Sequence, residues 1–170
     1  MPDINESATA SPTKNVVLLI DVQNLYYTAR QTYGKHVNYN TLWAMATQGR
    51  HVDKAFAYAI DRGDTRQRQF QNILRGIGFE MRLKPFIQRA DGSAKGDWDV
   101  GITLDAMRYG SSADIVVLAS GDGDFAMLAD ALREEHNVEV EVYGVAALTA
   151  AALMRSATRF IPIEGKLLMR

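Results

Sequence analysis

Three groups of aspartates are the residues of this chain whose types and spacing could do chemistry. Asp122 and Asp124 stand in the turn Ser120-Gly-Asp-Gly-Asp-Phe125, directly after the apolar run 115–119. Asp21 ends another apolar run, 16–20, and the third group follows Lys95. Ligands of open α/β sheets bind beyond the carboxyl ends of the strands. If the two apolar runs are neighbouring strands, three carboxylates converge at one point.

Such converging carboxylates require a compensating positive charge, because like charges so close cannot all ionise comfortably. A hard divalent cation supplies that charge, and Mg²⁺ prefers a few carboxylates together with water molecules. Any single aspartate after a strand could instead cap the helix that follows. The combination of Asp21 with the pair Asp122 and Asp124 favours a Mg²⁺ or Mn²⁺ site, with these three residues as ligands.

The third acidic group, Asp97 and Asp99, begins a predicted helix over 97–109. Asp97 could cap this helix, which leaves Asp99 in the first turn, free to face the cluster. Asp105 lies six residues beyond Asp99, about 120° further around the helix at 100° per residue. A straight helix cannot present both to one ion. We therefore prefer Asp99 as the ligand and expect a supporting or structural role for Asp105.

Two further polar residues stand beside these aspartates, and each has two readings. Asn24, three residues after Asp21, could bind a substrate phosphate or satisfy backbone groups near the start of a helix. Ser120 could orient a carboxylate or add a hydroxyl near the metal, or it could make only a turn hydrogen bond. We predict that both belong to the substrate-binding part of the site.

The spacing of Gly121, Gly123 and Ala126 after a strand also fits a dinucleotide-binding fingerprint. The intervening residues argue against a dinucleotide site, because the carboxylates of Asp122 and Asp124 would repel the pyrophosphate. The turn also lacks the Lys-Ser or Lys-Thr pair of a phosphate-binding P-loop. The motif therefore indicates a cation site rather than a nucleotide-cofactor site.

A local excess of basic residues joins two of the acidic sites in sequence. Eight basic residues and three acidic ones stand between Arg62 and Lys95, which leaves a local charge of +5. The basic residues are Arg62, Arg66, Arg68, Arg75, Arg82, Lys84, Arg89 and Lys95. With Tyr26, Tyr27, Tyr33 and Trp98, the segment could hold a phosphate backbone and stack bases. A solvated helix face is the alternative. We assign Arg75, Arg89 and Lys95 to substrate binding.

The elements that must position these residues alternate between strand and helix. Strands are predicted at 16–20, 51–60, 79–83, 114–119 and 138–143, with a short last strand at 159–163. Helices are predicted at 23–31, 39–48, 64–75, 97–109, 124–135 and 145–157, and 88–96 is predicted to be a loop. Glu139 and Glu141 are expected to point away from the core. This order predicts an α/β fold with a mostly parallel central sheet and helices on both faces.

Composition narrows the class of protein further. The chain has 170 residues, 47% of them apolar and 23% charged, with a net charge of −1 and no cysteine. These values are typical of one globular domain and exclude disulfides, thiol catalysis and cysteine-based zinc sites. No apolar run of about 18 residues is present, so no membrane span is expected. Residues 1–14 lack the apolar core of a signal peptide, so a cytoplasmic location is expected.

The expected domain organisation is simple. Residues 1–14 are rich in small and polar residues and should form a flexible tail. Residues 15–165 should form the single domain, and residues 166–170 a short C-terminal tail. The exposed side of the last Ala- and Leu-rich helix could serve a homodimer, although packing against the core explains the same residues more simply.

Three motifs in this order resemble those of NYN domains, specifically the LabA-like group of the PIN-like nuclease superfamily. They are Ile20-Asp-Val-Gln-Asn24, then Lys95-Gly-Asp-Trp-Asp-Val100 with Asp105, and Ser120-Gly-Asp-Gly-Asp-Phe125. The resemblance runs from about residue 15 to residue 163. It implies a PIN-like, Rossmannoid three-layer fold and metal-dependent ribonuclease chemistry. The acidic cluster it implies is Asp21, Asp99, Asp122 and Asp124, with Asn24 as a site residue; a departure from the family pattern at 97–98 keeps Asp97 open as an alternative to Asp99.

The function expected from these observations is a Mg²⁺- or Mn²⁺-dependent endoribonuclease that acts on single-stranded or structured RNA. A binding module that keeps the carboxylate pocket but cuts nothing, and contacts RNA or a protein, is the competing hypothesis. A metal-dependent phosphohydrolase acting on a small nucleotide is a third.

Overall fold

The structure, a computed structural model, describes residues 12–88, 94–95 and 97–170. The strands are β1 (Asn15–Asp21), β2 (His51–Asp61), β3 (Glu80–Pro85), β4 (Ile87–Gln88), β5 (Ala94–Lys95), β6 (Ile115–Ala119), β7 (Glu139–Gly144) and β8 (Arg159–Pro162). The helices are α1 (Val22–Tyr33), α2 (Tyr39–Thr47), α3 (Thr65–Ile77), α4 (Asp99–Asp105), α5 (Ala126–His136) and α6 (Ala151–Ser156). Short 3₁₀ turns cover Gly123–Phe125, Ala146–Leu148 and Gly165–Leu167.

Six strands form one parallel sheet in the order β3-β2-β1-β6-β7-β8. From the centre, the chain winds outward through β2 and β3 on one side and through β7 and β8 on the other. The topological switch point therefore lies between β1 and β6, where such folds bind their ligands. Ile20 is the register partner of Ala119, so Asp21 and Ser120 are the next residues of adjacent strands.

Helices cover both faces of this sheet, as the alternation of apolar segments predicts. Val16 and Leu18 of β1 belong to the core that includes residues of α1, α2 and α3. Val17 and Leu19 belong to the core that includes residues of α4, α5 and α6. Strands with both faces covered are expected to be continuously apolar, which is the pattern of β1 and β6. The predicted three-layer α/β fold is confirmed.

Three predicted elements have other bounds or another conformation in the structure. The predicted loop 88–96 includes Gln88 of β4 and all of β5, an antiparallel pair whose two-residue strands are too short to show a period. The predicted helix 97–109 begins at Asp99 and ends in a π-helical turn over Ala106–Gly110. The predicted helix 145–157 is broken, because the backbone N–H of Ala150 donates to the carbonyl of Gly121 instead of continuing a helix.

The last residues pack against the domain rather than forming the predicted tail over 166–170. Leu167 and Leu168 are buried in the core that includes residues of α1 and α2. Leu168 forms an antiparallel bridge with Val37, and the backbone N–H of Met169 donates to the carbonyl of His36. Burial of two leucine side chains explains why this segment is ordered. Within the described ranges, no helix has the length and apolarity that a membrane crossing requires.

Glu141 of β7 is buried, and the expectation that it points away from the core is wrong. Its side chain accepts two hydrogen bonds of 2.8 Å from the guanidinium group of Arg50, and Arg159 approaches to 3.5 Å. Because β8 pairs with β7, this strand lies inside the sheet and both of its faces are covered. A carboxylate in such a position requires a hydrogen-bonded cation.

We expect Arg50→Met to lower the free energy of unfolding by about 3 kcal/mol, because it leaves the buried carboxylate of Glu141 with the more distant Arg159 alone. Urea denaturation measures the change. The double variant Arg50→Met/Glu141→Leu should recover more than half of the loss, since no buried charge then remains. Arg155→Met, at an exposed position of α6, is the control. An Arg50→Met protein as stable as the wild type would contradict the role of this ion pair.

Candidate metal centre

Two hydrogen bonds join the end of β1 to the turn after β6. The Ser120 hydroxyl donates to Asp21 Oδ2 over 3.0 Å, and the backbone N–H of Gly121 donates to Asn24 Oδ1 over 2.9 Å. These partners are 99 and 97 residues apart in the chain and meet because β1 and β6 are neighbours. The four residues form the floor of the candidate site.

The turn after β6 is organised by its own polar groups. The Ser120 hydroxyl accepts a hydrogen bond of 3.2 Å from the backbone N–H of Asp122. Asp122 Oδ1 in turn accepts one of 2.9 Å from the backbone N–H of Asp124, which caps the 3₁₀ turn Gly123–Phe125. Phe125 is buried in the core and anchors this turn. Both carboxylates are thus held on a short, fixed piece of backbone.

The two glycines of this turn are explained by a close approach of the chain itself. A Cβ atom on Gly121 would lie 2.8 Å from the carbonyl oxygen of Leu148, and one on Gly123 would lie 2.8 Å from Cβ of Ala150. Residues 148–150 therefore occupy the space that a larger side chain would need. The spacing of the two glycines is therefore explained by packing within the chain. This explanation agrees with the argument from sequence against a dinucleotide site.

Helix α4 brings a third carboxylate to the turn. Oxygens of Asp99, Asp122 and Asp124 all lie within 4.8 Å of one another; Asp99 and Asp122 are half-buried and Asp124 is exposed. Two oxygens on opposite sides of a Mg²⁺ ion are roughly 4.2 Å apart, twice its usual bond length. Small side-chain movements would therefore let all three bind one ion. This donor set, made only of carboxylates, suits Mg²⁺ or Mn²⁺.

Asp21 lies beneath this group and is not one of the three. Its carboxylate is buried and accepts hydrogen bonds from the backbone N–H of Asn24 and the hydroxyl of Ser120. Burial raises its pKa, the hydrogen bonds from Asn24 and Ser120 act in the opposite direction, and the charges of Asp122 and Asp97 raise it further. The structure brings Asp21 to the cluster, and direct ligation by Asp21 stays a prediction.

Burial and the repulsion between carboxylates both act on Asp99. Burial, then the charge and hydrogen bond of Asp122, then the charges of Asp97 and Asp21, raise the pKa of Asp99 to about 7. Close carboxylates have this effect when no cation is present, because one of them is easier to protonate than to ionise. A bound divalent cation would remove the need for that proton.

The other two acidic residues near α4 have structural contacts. Asp97 is exposed, and its Oδ1 accepts a hydrogen bond of 3.3 Å from the backbone N–H of Asp99. Asp105 is buried, accepts a hydrogen bond of 2.8 Å from the hydroxyl of Tyr58, and lies 3.3 Å from the guanidinium of Arg82. The structure thus directs Asp105 into the protein, away from the three carboxylates.

The residues predicted to bind substrate are not all close to the cluster. The side-chain oxygen of Asn24 is hydrogen-bonded to the turn. Arg75 is in the last turn of α3, beside the amino end of β3, and its guanidinium donates to Asn72. Because α3 begins at the carboxyl edge of the sheet and runs back to the start of the parallel strand β3, its last turn lies at the amino edge of the sheet. Arg89 lies outside the described residues. Lys95 is in β5, where its backbone pairs with that of Ile87 in β4.

Trp98 and Lys84 also have internal contacts that the sequence did not reveal. The indole N–H of Trp98 donates to the carbonyl of Ala59 over 2.9 Å. The ammonium of Lys84 lies 4.4 Å from the centre of the Trp98 ring and donates to the carbonyl of Asp97. These contacts fix the start of α4 against the carboxyl end of β2. They position the backbone that carries Asp99.

The fold and the site together define a PIN-like α/β domain with an acidic cluster at its switch point. The family model for the NYN domain matches residues 15–164, so the chain belongs to the NYN domain family, within the PIN-like nuclease superfamily.

Two relatives support this assignment. The Low amplitude and bright protein LabA of Synechococcus elongatus is 24% identical over 157 residues, which cover 88% of this chain and 83% of that protein. Its similarity supports the LabA-like group of NYN domains. The crystal structure of a protein of unknown function from Vibrio parahaemolyticus RIMD 2210633 has a TM-score of 0.89 and 49% sequence identity, covering 95% of this chain and 99% of that one. The second likeness confirms the fold.

The raised pKa of Asp99 predicts a pH-dependent stability. Its folded-state pKa of about 7 lies above its ordinary value of 3.8, so the folded state binds the proton more tightly. The stabilisation is complete below about pH 4 and is lost as the pH rises towards 7. In EDTA, we expect the melting temperature of the wild type to fall over this range more than that of Asp99→Asn. Thermal unfolding monitored by circular dichroism measures it.

Mg²⁺ should restore the stability of the wild type near neutral pH and should restore less in Asp99→Asn, because the cation replaces the proton. Asp53→Asn, at an exposed position near the amino end of β2, is the matched control and should follow the wild type. Equal pH dependence in the wild type and Asp99→Asn would contradict the electrostatic account.

Proposed function

We propose that this protein is a Mg²⁺- or Mn²⁺-dependent endoribonuclease that hydrolyses phosphodiester bonds of RNA in the cytoplasm. The observation that carries the proposal is the convergence of Asp99, Asp122 and Asp124 within 4.8 Å at the switch point of a NYN domain. This arrangement supports a cation site at the edge of the sheet where PIN-like folds would receive a substrate.

The roles of the side chains follow from their burial and contacts. Asp99, Asp122 and Asp124 would bind the cation, which supplies an activated water molecule and stabilises the charge on the leaving oxygen. Asp124 is the exposed member, so it faces the side from which a phosphodiester can approach. Asp21 adds negative charge from below the site, and Ser120 fixes the positions of both Asp21 and the backbone N–H of Asp122.

One observation favours a second candidate function, an RNA- or protein-binding module without activity. Asp21 is engaged by two hydrogen bonds and stands apart from the three clustered carboxylates. A domain in which only these three carboxylates bind the cation could hold it for stability alone. This candidate predicts RNA binding that does not depend on the cluster.

Cleavage of a labelled, mixed-sequence single-stranded RNA tests the proposal directly. We expect cleavage in Mg²⁺ or Mn²⁺, none in EDTA, and a loss of more than about a hundredfold in Asp122→Asn, since even groups that only orient metal ligands contribute tenfold to a hundredfold. Asp53→Asn is the control for the loss of one surface charge. No cleavage by folded, metal-loaded wild type that binds the RNA would favour the binding module.

Ser120→Ala tests the proposed positioning of the cluster. The variant removes the hydroxyl that joins Asp21 to the turn, so we expect the Mg²⁺ concentration for half-maximal cleavage to rise about tenfold. Titration of the cleavage rate with Mg²⁺ measures this shift. Ser156→Ala, a buried serine at the end of α6, is the matched control. A reduced rate with an unchanged Mg²⁺ requirement would show that Ser120 does not act through the cation.

A further inference from the structure

The carboxyl edge of the sheet opens, on the face covered by α1 and α3, into a groove of about 1060 Å³. The groove is lined by Val22 and Gln23, which directly follow Asp21 in the chain. It extends between α1 and α3, from Arg66 in the first turn of α3 to Ile77 in its last turn, and its volume is at the upper end of the usual range for ligand pockets. It therefore begins next to Asp21 in the chain, although Asp99, Asp122 and Asp124 do not line it, and it is large enough for more than a small ligand.

Aromatic rings of α1 line one wall of this groove and are open to solvent. Tyr27 is 52% exposed and Tyr26 38% exposed, and their rings meet edge to face at 5.3 Å. The ring of His36 stacks on Tyr26 at 5.7 Å. Phe70 of α3 also lines the groove, with its ring 5.6 Å from that of Tyr39. Exposed rings of this kind offer flat faces on which nucleobases can stack.

The same groove carries an excess of positive charge. Four basic side chains line it, namely Arg30, Lys35, Arg62 and Arg66. The carboxylate among the lining residues, Asp64, accepts a hydrogen bond from the backbone N–H of Gln67 and caps α3. Within residues 12–88, 94–95 and 97–170, the salt bridges include none of the four cations. Their charge is thus available to an anionic partner.

We propose that this groove binds a few unpaired nucleotides of an RNA strand, with a base stacked on Tyr27, beside the stacked pair Tyr26 and His36, and phosphates contacting Arg30, Arg62 and Arg66. The proposal rests on the proposed function, because this strand is the one that the adjoining carboxylates would cut. Stacking on a side chain requires an unstacked base, and single strands supply it while a duplex does not. The groove therefore makes the enzyme selective for single-stranded RNA.

The test is a binding measurement with the full chain carrying Asp122→Asn, in Mg²⁺, so that binding is measured without cleavage. The probe is a fluorescein-labelled, mixed-sequence single-stranded RNA, followed by anisotropy. Tyr27→Ala should weaken binding by about fivefold or more, as loss of one base stack does. Tyr33→Ala is the matched control, because Tyr33 is exposed on the same helix but does not line the groove.

The charge of the groove is tested in the same assay. Arg62→Ala/Arg66→Ala should reduce the slope of log affinity against log salt by about 1.4, since each phosphate contact of a single strand contributes about 0.7. Arg68→Ala/Arg155→Ala removes two exposed arginines, one on α3 and one on α6, that do not line the groove, and should leave the slope unchanged. A blunt RNA duplex of the same sequence should compete at least tenfold less well than the single strand.

Three results would overturn the groove proposal. The first is an equal loss of RNA affinity in Tyr27→Ala and Tyr33→Ala, and the second is equal competition by the duplex. The third is an unchanged KM for RNA cleavage when the groove substitutions are made in protein that keeps Asp122. The last result would leave the ribonuclease assignment intact. Conversely, groove-dependent RNA binding by a protein that never cleaves would support the groove proposal and refute the ribonuclease.

Discussion

The hydrogen bonds between the β1–α1 corner and the turn after β6 are the constraint on which the site depends. A buried carboxylate is costly unless it is hydrogen-bonded, and Asp21 obtains its partners from Asn24 and Ser120. Asn24 in turn accepts a hydrogen bond from the backbone of Gly121. Any shift of β6 relative to β1 would break these bonds together. The position of Asp122 is therefore set by the pairing of two central strands.

The three clustered carboxylates repel one another, and the fold brings them together from separate elements. Asp99 comes from α4 on one face of the sheet, while Asp122 and Asp124 stand on the turn that starts α5. The aromatic and basic groove lies on the other face, along α1 and α3. The groove and the cluster are both next to the carboxyl end of β1, because Val22 and Gln23 line the groove and Asp21 lies beneath the cluster. In the proposed function, the substrate strand would pass this end of β1 between the groove and the carboxylates.

Much of the fold, and the location of the site, could be predicted from local patterns. The apolar runs of β1 and β6 are short, continuous and followed by Asp21 or by the turn that holds Asp122 and Asp124, so their ends were recognisable, whereas their pairing was a condition that the structure supplies. The helical angle between Asp99 and Asp105 indicated that only one of them can face the cluster, and the place of Asp99 in the first turn favoured Asp99. These predictions concern neighbours in sequence or one parallel pairing, for which residue type and spacing carry the information.

Only the tertiary structure decided which residues share a surface. By itself, the sequence determined the alternation of strands and helices and the acidic motif, because both are encoded in short segments. It could not show that Glu141 is buried, since burial there depends on β8 and on Arg50, far away in the chain. Nor could it show that Arg66 lines the groove while Arg75, on the same helix, lies at the opposite edge of the sheet. Contacts of this kind depend on how distant segments pack, and no local pattern records them.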